Sequence, residues 1–151
     1  MLDFTHDADT PSWVATANAP DIDFPLQNLP FGRFRRAGTK DALRIGVAIG
    51  REVLDLHALG QLDPQLAVLL GPLAQGDLNG FMAQGRAARI ALRHALFAGL
   101  SAQPSGTASL WRAKADTRTA ASPRVRISCV WIHTSSAMAI APRSRLAGES
   151  R

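Results

Sequence analysis

Two pairs of side chains in this sequence have the types and the spacing that general acid–base chemistry requires. Asp21 and Asp23 are carboxylates two residues apart, and Asp55 and His57 bring a carboxylate and an imidazole equally close along the chain. A carboxylate beside an imidazole can orient it as a general base. Because neither pair is accompanied by a nucleophile or by metal-ligand spacing, we interpret the first pair as solvated turn residues and the second as structural residues at a strand end.

The other reactive side chains stand alone in the sequence. His6 and His94 have the surroundings of surface residues, and Cys129 is the single cysteine, so an internal disulfide is excluded. No group of cysteines and histidines has the spacing of a zinc site. The glycines of GVAIG, residues 46–50, lead into a hairpin rather than a helix, so they do not form a dinucleotide-binding motif. The sequence therefore assigns no catalytic, cofactor-binding or metal-binding residue.

The size and composition of the chain are those of a small globular protein. It has 151 residues, of which 46% are hydrophobic and 19% are charged, which suits a single domain with one core. No apolar run reaches the length of a membrane span, and the acidic first ten residues lack the basic start and apolar centre of a signal peptide. We therefore expect a cytoplasmic protein that has no membrane partner.

The positive charge of the chain is confined to its last residues. Residues 1–110 hold nine Lys or Arg against ten Asp or Glu, and residues 111–151 hold eight against two, so the net charges are −1 and +6. An electrostatic argument for a nucleic-acid partner therefore concerns only the tail. A basic arm that binds nucleic acid is one hypothesis for it, and it predicts salt-sensitive binding.

Local patterns predict the strands of the domain. The alternation over residues 22–26 predicts an edge strand or an extended crossing segment, because proline cannot donate to a central ladder. The sequence RIGVAIGREVLDL, residues 44–56, predicts a tight β-hairpin that turns at residues 50–51. The small residues Gly46 and Ala48 on one face of this hairpin predict the close approach of another layer.

Capping signals and apolar spacing predict two helices after the hairpin. An aspartate followed by a proline at residues 63–64 predicts a short helix over residues 65–73. A longer helix is predicted from residues 77–79 to Gly99, with apolar side chains at helical spacing. Gly85 is the one mismatch in this helix, and a close packing contact would explain it.

The composition changes at the end of the chain. Ala, Arg, Ser, Thr and Pro supply 26 of the last 40 residues, and VRISCVWIH, residues 125–133, is the one stretch there that has the pattern of a strand. This composition is typical of a basic disordered tail, and it is also what out-of-frame translation of a GC-rich gene would produce. Both interpretations remain open.

Three motifs resemble, in order and spacing, the amino-terminal domain of the fumarylacetoacetase family: SWVATANAPDIDFPLQNLPFGRFRR, RIGVAIGREVLDL and LNGFMAQGRAARIALRHAL. The resemblance covers about residues 12–100, and it implies a small SH3-like β-barrel with helical additions, packed in front of a larger catalytic domain. We therefore expect a mainly β domain over residues 13–110. It would lie between a flexible N-terminus, residues 1–12, and a basic divergent tail, residues 111–151, that is disordered or frame-shifted.

The resemblance also implies a reaction. The family hydrolyses 4-fumarylacetoacetate to fumarate and acetoacetate in tyrosine and phenylalanine catabolism. It uses Ca²⁺ or Mg²⁺ held by carboxylates and a histidine–glutamate pair that activates water. Those residues belong to the catalytic domain, which begins in a motif of the kind GDYTDFY that this sequence does not contain.

The tail contains few of the side chains that this reaction needs. After residue 110 only Asp116 and Glu149 are acidic, and His133 lacks the flanking residues of the family's catalytic histidine. We therefore expect no cofactor on this chain. The first hypothesis is a truncated fumarylacetoacetase that is inactive as this chain. The alternative is a stand-alone SH3-like interaction module that packs on a separate catalytic domain or self-associates through an uncovered apolar face.

Overall fold

A computed structural model of the chain describes residues 3–35, 39–104 and 106–112. The strands are β1 (Phe31–Phe34), β2 (Arg44–Ile49) and β3 (Glu52–Asp55), and the α-helices are α1 (Leu56–Leu62), α2 (Pro64–Leu70), α3 (Asn79–Ala83) and α4 (Gly85–Leu100). Short 3₁₀ helices lie at Phe4–His6, Ala15–Asn18, Gly71–Leu73 and Gly106–Ala108. None of the helices in this part of the chain is long and apolar enough to cross a membrane.

The three strands form an antiparallel sheet with β2 in the centre. Val47 of β2 pairs with Phe31 on one side and with Leu54 on the other. The predicted hairpin is confirmed, and Gly50 makes its turn with a φ of +58° that glycine adopts without strain. A side chain at Gly50 would also meet Ala17 N at 2.6 Å, so the turn lies directly against the backbone of the preceding segment.

The close approach predicted at Gly46 comes from within the sheet. A Cβ at this position would meet Val53 Cγ1 at 2.6 Å and Phe34 Cε1 at 2.8 Å. Side chains of both neighbouring strands therefore fold over the glycine, where the sequence led us to expect a further layer.

Of the two structures that the alternation over residues 22–26 predicts, an edge strand is absent and a crossing segment, residues 21–30, is present. Proline has no N–H to donate, and this stretch contains one every five residues. Two of its carbonyls still reach the hairpin, because Phe24 O accepts from Gly50 N at 2.6 Å and Pro30 O accepts from Ala48 N at 3.1 Å. The stretch is therefore a crossing segment that bulges between these two bonds.

The bulge brings two leucines into the core. Leu26 and Leu29 are both buried. Asn28 closes the turn between them, since its N donates to Pro25 O at 2.9 Å and its Nδ2 donates to Asp23 O at 3.0 Å. The prolines of this segment therefore flank a turn that places Leu26 and Leu29 in the core.

The long helix predicted from residues 77–79 is broken at Gly85. The break separates α3 from α4, and Gly85 has a φ of +84°, which a regular helix interior does not allow. Nothing lies within 4 Å of the position of its missing Cβ, so the predicted packing contact is absent. Gly85 is used for its backbone conformation rather than for close packing.

Gly99 does not end α4, which continues to Leu100. It is buried, and a Cβ here would overlap the indole ring of Trp111. Trp111 is only 4% exposed and belongs to the hydrophobic core. The packed body of the protein therefore includes a residue beyond position 110, where composition alone placed the start of the tail.

The core is built mainly by β2 and the helices. Its members share near-complete burial and include Ile45, Val47, Ile49, Leu56, Leu59, Leu66, Leu70, Phe81, Leu92, Leu96, Phe97 and Leu100. Helices make up about 49% of the described residues, so the expectation of a mainly β domain is not met. The coarser description, an antiparallel sheet with helices, holds, whereas an SH3-like barrel is not confirmed because β1 and β3 do not pair with each other.

Candidate functional site

Asp55, one of the candidate general-base residues, starts α1. Its Oδ1 accepts from His57 N at 3.0 Å and from Ala58 N at 3.2 Å, and its Oδ2 accepts from Arg44 at 2.9 Å. An aspartate in this position satisfies backbone N–H groups that the first turn of a helix leaves free. The His57 ring is exposed and contacts Gln61 at 3.2 Å. The structure therefore does not bring the two side chains together as a catalytic pair.

Asp21 and Asp23, the other candidate pair, are exposed on the crossing segment. The backbone carbonyl of Asp23 accepts from Asn28 Nδ2. Exposed carboxylates in a turn are solvated, and such an arrangement does not confine a reacting group.

Asp63 is a buried carboxylate at the start of α2. It accepts from Gln65 N at 3.2 Å and Leu66 N at 3.3 Å, which confirms the predicted cap. Its other oxygen accepts from Trp111 Nε1 at 3.3 Å. The sequence indicated the cap but not the tryptophan, because 48 residues separate the two partners.

A cluster around Asp3 brings one carboxylate and two imidazoles together. His6 Nδ1 lies 3.2 Å from Asp3 Oδ1, and His94 Nε2 lies 2.8 Å from Asp3 Oδ2. The hydroxyl of Thr5 donates to Asp3 at 2.6 Å. This bond, followed by the bond from His94, holds the pKa of Asp3 well below its usual range.

Arg93 joins this cluster to the crossing segment. Its Nε donates to Thr5 Oγ1 at 2.8 Å and its NH2 group donates to Gln27 O at 2.7 Å. Gln27 in turn donates through Nε2 to Asp7 O at 2.6 Å and to Thr10 O at 3.0 Å. We call residues 3–10 the N-terminal clasp, because these bonds fasten them across α4.

No local pattern in the sequence indicates this cluster. His6 and His94 are partly exposed, with side-chain accessibilities of 41% and 36%, which agrees with their expected surface positions. Their common contact with Asp3 joins residues 91 positions apart. Contacts at that separation leave no periodic pattern, and only covariation among homologues would have revealed them.

The described residues do not fit the Ca²⁺ or Mg²⁺ ion that the resemblance implies. Such hard cations take several oxygen ligands, whereas Asp3 is the one carboxylate of its cluster and its neighbours there are imidazoles. Within residues 3–35, 39–104 and 106–112, no group of three or more His, Cys, Asp or Glu side chains could hold a metal ion. The tail candidates, Asp116, Cys129, His133 and Glu149, lie outside the described residues.

Comparison with known proteins agrees with the resemblance of the three sequence motifs. The chain matches the family model for the fumarylacetoacetase N-terminal region over residues 27–128, about two thirds of its length. The match continues past residue 110, where the frame-loss hypothesis places the change of sequence.

Several curated proteins are similar to the same part of the chain. It is 44% identical over 72 residues to the fumarylacetoacetase of Homo sapiens, a region that makes up 46% of this chain and 17% of the human protein. Identity to the fumarylacetoacetase of Caenorhabditis elegans is 41% over 73 residues, covering 47% of this chain and 17% of that protein. Identity to the fumarylacetoacetase of Oryza sativa is 42% over 79 residues, covering 46% of this chain and 18% of that protein. The chain thus spans less than a fifth of the length of these relatives.

Proposed function

Because this chain belongs to the family of fumarylacetoacetase amino-terminal domains, we propose that it serves as the non-catalytic domain of a carbon–carbon bond hydrolase. The observation that carries this proposal is the family match over residues 27–128. In this proposal the substrate is fumarylacetoacetate, and the groups that hold the metal and activate water are supplied outside residues 3–112.

The use of the acidic side chains supports a structural role. Asp55 and Asp63 bond the first amides of α1 and α2, and Asp3 fastens the clasp. Each carboxylate is thereby committed to holding backbone or a neighbouring side chain. A general base would instead need a free lone pair within reach of a water molecule.

The partner in this proposal is the catalytic part of a fumarylacetoacetase, in the same chain or in a separate one. The resemblance supports this choice, since the amino-terminal domain of that family packs in front of a catalytic domain. No contact within the described residues favours the alternative of a stand-alone interaction module. The same proposal includes an SH3-like barrel. Such a barrel requires that the outer edges of β1 and β3 each hydrogen-bond to another strand.

Complementation of a catalytic part would test the function. The full chain would be assayed for hydrolysis of fumarylacetoacetate alone, and then together with the part of the human enzyme that lies outside the matched region. We expect no hydrolysis by the chain alone and a gain of activity in the mixture. Absence of any gain in the mixture would contradict the proposal.

Two variants separate a structural role from a catalytic one. Asp55→Asn keeps an oxygen that accepts from the α1 amides but removes the charge, and His57→Gln removes the imidazole. We expect both variants to support the mixture as well as the unaltered chain does. If the chain alone hydrolyses the substrate and Asp55→Asn abolishes that activity, the chain has its own catalytic site.

The frame-loss hypothesis has a separate test. Sequencing of the gene from codon 105 onward, with translation in three frames, would reveal a GDYTDFY-like motif in a shifted frame if the hypothesis holds. A single continuous frame without that motif would refute it. Neither result alters the proposed role of residues 3–112.

A further inference from the structure

The outer edge of β1 has no strand partner among the described residues, because β1 lies at one side of the sheet and pairs with β2 alone. The bond from Ala48 N to Pro30 O shows which backbone groups of this segment point toward β2, since the direction alternates along an antiparallel strand. By that alternation, the N–H and C=O groups of Phe31 and Arg33 point away from the sheet. Edge groups of this kind are a template for the addition of another strand.

Arg33 places a guanidinium group beside the core without an acceptor. Its side chain lies on the same face of the sheet as that of its cross-strand partner Ile45, which is 2% exposed. The Nε atom of Arg33 is buried and has no hydrogen-bond partner within the part of the chain that the structure describes. A guanidinium group offers only donors, so a partner has to supply the acceptor. A buried donor without an acceptor is unfavourable, and an acceptor that arrives with a binding partner would remove this cost.

The sequence around this edge is basic. Residues 33–44 contain five Lys or Arg and one Asp, a net charge of +4, whereas the remainder of residues 1–110 carries a net charge of −5. Arg35 and Lys40 are exposed. Carboxylates bind guanidinium groups through two parallel hydrogen bonds, so the charge favours an acidic partner segment. The basic tail of the chain, with its net charge of +6, does not have the complementary charge.

We propose that the outer edge of β1 and the guanidinium group of Arg33 form the docking site for the catalytic part of a fumarylacetoacetase. In the complex, that part adds a strand to β1 that bonds the backbone groups of Phe31 and Arg33. The same strand sets a carboxylate against the Arg33 side chain. The identity of the partner rests on the proposed function, whereas the position of the site rests on the open edge, the buried Nε atom and the charge.

The thermal midpoint of the free chain tests whether Arg33 lacks an acceptor. Arg33→Met keeps most of the length of the side chain and removes the buried donor, so we expect the midpoint of the full chain to rise by about 3 to 6 °C. The matched control Arg35→Met removes the same charge at an exposed position and should shift the midpoint by less than about 2 °C. A midpoint that falls in Arg33→Met, or that rises no more than in the control, would overturn the proposal.

Calorimetric titration tests the docking itself. The full chain would be titrated, without substrate, with the part of the human enzyme that lies outside the matched region. We expect Arg33→Met to weaken binding about 10- to 100-fold and Arg35→Met to weaken it less than about threefold. The intact human enzyme already contains the matched region and should not bind. Equal effects of the two variants, or absence of binding to the catalytic part, would contradict the site at Arg33.

Amide exchange followed by NMR tests the added strand. The amides of Phe31 and Arg33 should exchange at least about tenfold more slowly in the complex, because they gain acceptors from the new strand. The amide of Gly32 already points toward β2 and is the internal control. Unchanged exchange of the two outward amides would rule out strand addition. Protection of these amides by a short DNA duplex or by a second copy of the chain, and not by the catalytic part, would overturn the choice of partner.

The results separate this inference from the proposed function. If the mixture gains hydrolysis and Arg33→Met leaves both binding and hydrolysis intact, the docking site is wrong and the proposed function stands. If binding depends on Arg33 but the mixture gains no hydrolysis, the docking site stands and the proposed function is contradicted.

Discussion

The residues before Val14 are attached to α4 at two places, and the two attachments differ in kind. At the C-terminal end of the helix, Ser12 Oγ donates to Leu100 O at 2.6 Å and Trp13 Nε1 donates to Gly99 O at 2.9 Å, next to the buried Trp111 ring. In the middle of the helix, Arg93 and His94 hold the clasp through side-chain bonds at a partly exposed surface.

This difference separates an attachment that includes core residues, which we call the permanent joint, from one made of side-chain bonds at a partly exposed surface. Buried apolar area contributes stability at every pH, and each 100 Å² of it is worth about 2.5 kcal/mol. Partly exposed ion pairs contribute little each and depend on charge. One helix therefore carries one joint that belongs to the folded core and another that rests on side-chain bonds at a partly exposed surface.

The strongest test of the permanent joint is Trp111→Ala. Truncation of a buried tryptophan leaves a cavity against Gly99 and removes the donor to Asp63, so we expect a loss of about 3 to 5 kcal/mol in the free energy of unfolding. Urea denaturation of the full chain would measure it. The control is Leu110→Ala, a half-exposed neighbour, for which the loss should remain below about 1 kcal/mol. Equal losses in the two variants would mean that Trp111 is not part of the core.

Gly99→Ala tests the same joint from the helix side. The added Cβ would overlap the Trp111 ring, which must then move, at a cost of about 1 to 3 kcal/mol. At Gly60 in α1 an added Cβ meets its nearest atom, Leu70 Cδ1, at an ordinary 3.5 Å. Gly60→Ala should therefore stabilise the protein by about 0.5 to 1 kcal/mol. We expect the thermal midpoint to fall in Gly99→Ala and to rise in Gly60→Ala. A rise in Gly99→Ala would refute the packing of Gly99 against the Trp111 ring.

Ser12→Ala measures the polar part of the permanent joint. The hydroxyl accepts from Val14 N at 3.1 Å, and its loss leaves this buried amide without that bond. Leu100 O retains a bond from Trp13 N, so we expect a loss of only about 1 kcal/mol. Ser101→Ala is the control, because that hydroxyl donates to Ala98 O at an exposed position. A larger loss of stability in Ser101→Ala than in Ser12→Ala would contradict this expectation.

Arg93→Lys should have the smallest effect on global stability and a large effect on the clasp. Lysine keeps the charge but cannot reproduce the planar fork that reaches Thr5 and Gln27. We expect a loss below about 1 kcal/mol in urea denaturation, together with loss of exchange protection in residues 3–10. Arg86→Lys, at an exposed position of the same helix, should change neither quantity. A large global destabilisation by Arg93→Lys would show that the clasp belongs to the core.

Elements with a strong local signal were predicted correctly. The hairpin at residues 44–55 combines alternating branched residues with a glycine turn, and α2 combines an aspartate cap with a proline at its first position. In both cases the determinants lie within a few residues of each other. Gly85 also carries a local signal, but the packing contact that it predicts is absent, and the glycine marks a change of backbone conformation.

The features that the sequence did not reveal depend on distant partners. The bulge at Leu26 follows from bonds to the turn of the hairpin, and the pocket at Gly99 follows from a tryptophan twelve positions later. The Asp3 cluster depends on the position of α4 relative to the first residues of the chain. The family of the chain was recognisable from three motifs, but the expected mainly β architecture came from that resemblance and not from the residues themselves.

The contact between Ser12 and Leu100 has a consequence for how the chain reaches its native state. It joins residues 88 positions apart, and closing so long a loop is a slow step in which entropy opposes the approach. During synthesis, the Ser12 hydroxyl and the Trp13 indole lack these two acceptors until Gly99 and Leu100 have left the ribosome. The hairpin and the first helices can form before then. The start of the chain therefore docks on α4 late, and chaperone binding during translation should concentrate on the undocked segment that contains Trp13.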